Sequence, residues 1–393
     1  MERPEDKTSG QLLRLPLKTR GLMFSSIWGF EMVHMRFLQA TILLGILAIS
    51  PAAFSHHSDA GIDEFSEVAL EGRVTEFRFR QPHVFLAVET EQNGETVEWD
   101  VQMVSVNILM RRGWSADSLK VGDRVSLSVN PAENGRPYGK LIDIVRADGS
   151  AVTVDPNAPE ARLAVATSLH GNWTGNRPVD APAPPPRPEP APAAVSENEE
   201  PPCTSGFDCF FKENLVLNQA GIAARDAYDP LSEENPEATC VGRPTPSALM
   251  SARGYLIQLD LSEAEEKIYI RSEWFNEERT VWMDGRDHPN PSTTLQTGHS
   301  IGWWEGDTLV VDTKNFDDHR SPYQIGVPSG SQKHVVERYT LSEEGTSMQV
   351  NYVLEDPEFL AEPLNHTNNL FHAPHMQMHA MDCDPENTGR FLN

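Results

Sequence analysis

The chain has 393 residues, with 58 acidic against 32 basic side chains and a formal net charge of −26. Such a surplus of acid argues against a nucleic-acid partner, because phosphate recognition needs a basic face. It reads first as a device for solubility.

Residues 1–34 hold Met1, Met23 and Met32 in an unpatterned mixture and read as an upstream extension, with Met35 as the expected start. Residues 35–55 have the form of a signal peptide: Arg36 opens a short positive region, Leu38 to Ile49 are apolar, and Ala53-Phe54-Ser55 offers a small-x-small cleavage pattern. The apolar run is about a dozen residues, short of the ~20 that a transmembrane helix needs. A periplasmic or secreted address follows, with no membrane span after cleavage. Cleavage after Ser55 would expose His56 as a new N-terminus, followed at once by His57. Four cysteines (Cys203, Cys209, Cys240 and Cys383) in an oxidising compartment favour disulfides over metal thiolates. Three pairings are possible; the favoured one closes a short loop with Cys203–Cys209 and leaves Cys240 to staple Cys383.

Residues 56–154 read as strands with one helix. Val68 to Phe77 alternates roughly, and His83–Glu89 and Thr96–Val101 flank Gln92-Asn93-Gly94, a strong hairpin signal. Val104 to Arg111 is a plausible helix, closed by Gly113. Leu119–Val129 is a turn and a strand, and Gly139–Val145 the last strand. Five strands with a helix after the third suggest an all-β domain, a small closed barrel of the oligonucleotide/oligosaccharide-binding (OB) type.

The order of pieces here is specific: His56-His57-Ser58, Leu70-x-Gly72-x-Val74, Pro82-His83-Val84, Trp99, Arg111-Arg112-Gly113-Trp114 and Leu119-Lys-x-Gly122-Asp123. It resembles the DUF6152 family of exported bacterial proteins across nearly the whole domain. Gln81 departs from the Asn more often found before Pro-His. The resemblance implies fold and export and carries no activity.

Residues 155–202 form a Pro-rich, acidic linker, with Ala181–Pro192 as an extended polyproline-type spacer. Residues 203–393 are again mostly β. Phe210 to Arg225 is helix-like, and strands are expected at 254–261, 266–273, 278–283, 299–304, 307–313, 333–342, 346–355 and 368–382. Glu305-Gly306-Asp307 and Glu343-Glu344-Gly345 are tight connections. Sequential antiparallel strands of this kind predict a larger, lipocalin-like barrel or a curved sheet with a pocket. Gly171-Asn172-Trp173 is similar to the Gly-x-Trp opening of lipocalin-like barrels, although the spacer follows it directly. Trp282–Pro289 and Gly298–Asp312 resemble a second, uncharacterised module of exported proteins, and again no reaction is implied.

Three constellations carry possible chemistry. His56, His57 and His83 could converge on copper, since amine and imidazole nitrogens suit its tetragonal geometry; the plainer reading is a frayed terminus and a strand-capping histidine. His366, His372, His375 and His379 interleave with Met376, Met378 and Met381, where simple core filling competes with a metal site. Asp284, Arg286, Asp287, His288, His299, Ser300, Glu305 and Asp307 invite a hydrolase reading, and Gly298-His-Ser-Ile-Gly302 formally matches G-x-S-x-G. That elbow belongs to a strand–turn–helix in an α/β sheet, whereas here an aromatic hairpin follows.

No Gly-rich phosphate loop, zinc-protease motif or paired-carboxylate signature stands out. The expectation is an exported binding protein without catalysis of its own, its ligand a small molecule or an exported protein. A periplasmic copper-binding protein and an enzyme on an unknown substrate are the alternatives.

Overall fold

Asn93 and Gly94 both take positive φ, 54° and 84°, the conformation that a two-residue type I′ hairpin demands. They join β2 (Phe85–Gln92) to β3 (Glu95–Gln102) with Gln92 paired to Glu95. β1 (Val68–Arg78) lies on the other side of β2, and β4 (Arg124–Pro131) and β5 (Tyr138–Arg146) complete the sheet. The order β1-β2-β3-β5-β4 closes through β4 onto β1. Helix α1 (Val106–Arg111) lies between β3 and β4, so this is an OB-like barrel. Ser105 caps α1, its hydroxyl accepting from the Ile108 amide. At the other end the Gly113 and Trp114 amides donate to the carbonyls of Met110 and Leu109, with Gly113 at φ 84°. That is the paired bonding of a Schellman stop. Gly72 is needed for a different reason: a Cβ there would stand 2.3 Å from the Glu89 carbonyl oxygen.

This computed structural model describes residues 61–150, 152, 162–181 and 207–392. The second barrel has nine strands, β6 (Gly171–Thr174), β7 (Ile257–Ser262), β8 (Lys267–Ser272), β9 (Glu278–Trp282), β10 (His299–Glu305), β11 (Thr308–Lys314), β12 (His334–Leu341), β13 (Ser347–Glu355) and β14 (Leu364–His372). Each pairs with its neighbour in sequence and β14 returns to β6, so the barrel is closed. All pairs are antiparallel except β9–β10, a parallel contact of two residue pairs. Trp173 of β6 is fully buried, in one core with Leu259, Leu309, Val311, Tyr339, Val350 and Leu354.

Three expectations need correction. Residues 171–174, assigned to the linker, are a barrel strand, held between β7 and β14. The last strand ends at His372 and begins at Leu364, so His375 and His379 lie beyond it. The expected helix 210–225 is two helices, α2 (Phe207–Asn214) and α3 (Gln219–Asp226), with Asn218 capping the second through its side chain.

A Pro-rich spacer would by itself favour two independent domains, yet the two barrels are joined by direct contacts. Arg111, at the end of α1, donates to both carboxylate oxygens of buried Glu273 at 2.5 and 2.6 Å and to the Gly254 carbonyl. Glu273 is completed by the amides of Leu256 and His379. The tail then crosses the small barrel: the Asn387 side-chain amide donates to the carbonyls of Gln81 and His83, and Arg390 pairs with Glu76 and Asp100. Cys240–Cys383 is bridged, anchoring this tail. Cys209 is disulfide-bonded too, while Cys203 lies outside the described residues.

Candidate functional site

His56 and His57 lie outside the described residues. His83 sits on the β1–β2 loop, its Nδ1 3.3 Å from the Met103 carbonyl. Among the described residues no group of three or more His, Cys, Asp or Glu is placed to hold a metal ion. The second constellation does not assemble. Met376 and Met381 are buried in two separate apolar clusters, His366 packs on Phe210 and Tyr352, and His372 packs on Trp173. His375 accepts from the Arg162 amide instead.

The third constellation is partly brought together. Ser300 is buried, and its hydroxyl is tied to Thr313 at 2.9 Å. Thr313 in turn accepts from Arg279, whose guanidinium grips both oxygens of Glu337. Thr245 and Tyr339 also donate to Glu337. Every polar group in this chain of contacts has a partner, as a buried charge pair requires. It fastens β9 to β12 across the barrel interior and leaves Ser300 without the exposed, base-paired hydroxyl that a nucleophile needs.

Neighbouring His299 belongs to a different network. His288 bridges His299 and Asp312, Nδ1 to Nδ1 and Nε2 to Oδ1, both at 3.0 Å. His334 contacts the other Asp312 oxygen at 3.0 Å and Glu355 at 3.3 Å. Burial, then His288 and Arg286, lower the His299 pKa and favour its neutral ring. Asp284 and Arg286, also singled out in sequence, pair with each other at the surface, and the Arg286 guanidinium lies over the Trp282 ring at 3.6 Å.

His299 lines a cleft of about 460 Å3, together with Phe275, Glu277, Thr280, Trp282 and Thr297. Glu277 and Thr297 also border a small interior cavity beside Arg279, so Glu277 stands where the cleft meets the barrel interior. Its Oε1 is shut off from solvent and accepts no hydrogen bond from any described residue. Burial pushes its pKa up to about 8, against the pull of Arg243, Arg279 and Lys333. Lys333 is itself buried against Phe316 and Tyr323 and is driven down to about 7 by burial. A carboxylic acid held neutral at pH 7 can both donate and accept, and an unmatched buried oxygen is the kind of group that a ligand satisfies. Glu277 was invisible in the sequence because Asn276-Glu277-Glu278 reads as a solvated turn.

Residues 44–141 match the model of a family described as "Family of unknown function (DUF6152)", and no family covers the rest of the chain. The OB-like barrel is therefore the part of the protein that the family describes. No curated protein matches this chain. Among solved structures, the chain is similar to mitochondrial single-stranded DNA binding proteins from S. cerevisiae, Rim1. Identity is 15%, coverage is 21% of this chain and 95% of that one, and the TM-score is 0.18.

Proposed function

We propose that this is an exported binding protein whose ligand occupies the cleft beside β9. The observation that carries the reading is Glu277, a carboxyl at the meeting of cleft and interior whose Oε1 is buried without a hydrogen-bond partner. Leaving such a group unmatched costs about 1–3 kcal/mol, a cost that a bound polar group would remove. Export is supported by the apolar run Leu38–Ile49 before Ala53-Phe54-Ser55 and by the Cys240–Cys383 bridge. The cleft combines the apolar surfaces of Phe275 and Leu295 and the ring of Trp282, which Arg286 and Lys267 overlie, with a few polar groups, the usual make-up of a small-molecule site.

Native mass spectrometry of the exported protein, purified without harsh exchange, tests this. A small-molecule adduct present on the wild type and absent from Thr280→Trp, which fills the cleft, is the expected result. An adduct retained by the filled variant would place the ligand elsewhere.

A further inference from the structure

Hydrogen-bond polarity at His299 narrows the class of ligand, given the reading of the cleft as the ligand site. Strand alternation sends Ser300 into the barrel and turns His299 outward to the cleft wall. There His299 ends a chain of contacts that starts from a carboxylate. Burial opposes ionisation of Asp312, but contacts from His334, Lys314 and His288 outweigh it and its pKa is lowered. An ionised carboxylate only accepts, so the His288 Nε2 that meets Oδ1 at 3.0 Å carries a proton. A neutral His288 then has a bare Nδ1, which accepts from the His299 Nδ1–H across 3.0 Å. With its proton on Nδ1, a neutral His299 presents a lone pair at Nε2. That nitrogen has no hydrogen-bond partner among the described residues.

The rest of the cleft wall agrees. Its two side-chain amides are already spent, Asn276 on the Met381 carbonyl at 2.7 Å and Gln296 on the Gly242 carbonyl at 3.0 Å. Glu277 Oε1 is a second acceptor without a donor, and it has a lone pair to offer whether or not the carboxyl is ionised. The hydroxyls of Thr280 and Thr297 and the Trp282 indole N–H remain to donate. A carboxylate brings no donor and would set its lone pairs against two others. An ammonium would meet Arg286, which already bears on His299, while Glu278 is taken by Arg271. A neutral amide brings an N–H for His299 and a carbonyl for a hydroxyl. We infer that the cleft takes a small neutral ligand with an amide-type N–H, which donates to Nε2 of His299.

The same chain makes the site sensitive to protons. A proton on His288 reverses the bond between the rings, so that His299 accepts at Nδ1 and carries N–H at Nε2. A proton on His299 itself puts an N–H there too. The charged and titratable groups around the pair are Asp312, Lys314 at 3.8 Å from it, His334, Glu355 beyond His334, and Arg286. Whichever ring takes the proton, acid turns the acceptor into a donor.

Two NMR measurements on the exported, full-length protein test this at pH 8, where imidazoles are ordinarily neutral. Long-range proton–nitrogen correlation on histidine-labelled protein reads the tautomers and needs no ligand. It should show His299 protonated at Nδ1 and His288 at Nε2, and His288→Phe should release His299 from that form. Ligand-observed titration then compares benzamide, N-methylbenzamide, N,N-dimethylbenzamide, sodium benzoate and benzylamine, which share one ring. The first two should bind best, with Kd rising about tenfold at the second methyl, where the last N–H is lost. His299→Phe keeps a ring in place and should level the three amides, as should a shift of the wild type to pH 5. His299 protonated at Nε2 in the wild type at pH 8, or a tautomer unchanged in His288→Phe, would overturn the inference. So would benzoate or benzylamine binding tightest, no step at the second methyl, or a step that survives in His299→Phe. Failure of every probe to bind the wild type would instead overturn the cleft as a ligand site.

Discussion

Glu277→Gln makes the electrostatic cost of the site measurable without any ligand. In the folded protein the carboxyl ionises near pH 8 rather than 4.5, because burial outweighs the surrounding cations. Between those values the folded state holds a proton that the unfolded chain has released, so stability contributed at this position falls as pH rises through the window and levels off above about 8. At about 1.4 kcal/mol per pH unit, keeping the carboxyl buried costs on the order of 4 kcal/mol by pH 9, relative to a neutral isostere. Lys333 and His319 titrate in opposition, since both are depressed by burial, to about 7 and about 3. The wild-type profile therefore mixes these groups with others, and the difference between variant and wild type reads what Glu277 contributes, its coupling to Lys333 included. Urea denaturation at pH 4, 6, 7.5 and 9 is the assay. The two proteins should be nearly equal at pH 4, and the variant should gain steadily to a few kcal/mol at pH 9. A difference that stays constant across the series would refute the argument that Glu277 is buried as a neutral acid.

Arg111→Ala should destabilise by roughly 3–5 kcal/mol, because it strands the buried Glu273 carboxylate at the contact between the barrels; chemical denaturation reads this, and a loss under 1 kcal/mol would contradict the role given to the pair. Reducing Cys240–Cys383, which closes a separation of 143 residues, should cost about 2–5 kcal/mol and make the tail near Asn387 and Arg390 protease-sensitive; an unchanged melting temperature under reductant would count against it. Intact mass of exported protein should correspond to a chain beginning at His56, and a mass that retains residues 35–55 would instead indicate an anchored protein.

Much of the fold is legible where a local signal decides the structure. Asn93-Gly94 dictates its hairpin, and Gly113 marks the end of α1, because positive φ is demanded by the turn itself. Other features depend on partners far along the chain. β6 is four residues long and pairs with strands that begin at 257 and end at 372, so nothing within Gly171–Thr174 distinguishes it from linker. In β14 the inward positions include His366 and Asn368 alongside Leu364 and Leu370, which blurs the period of two and hides the strand's true limits. The break between α2 and α3 turns on Asn218, a capping residue inside a helix-like stretch.

The candidate site follows the same division. His288 and His299 stood out in sequence as near neighbours. Asp312 and His334 join them only through the register of β10, β11 and β12. Glu277 carries no sequence mark at all, because its burial is imposed by the loops around Gly242 and Gln296. Ser300 shows the converse: its motif is plain in the sequence, and its barrel setting removes the meaning.

A crystal structure of the exported protein, grown without exchanging away what co-purifies with it, tests the central claim most directly. The prediction is density for a small molecule in the cleft beside Trp282, with a polar atom within hydrogen-bond distance of the Glu277 carboxyl. A ligand found instead in the groove of Gln81, Asn107 and His379, with only water beside Glu277, would contradict it.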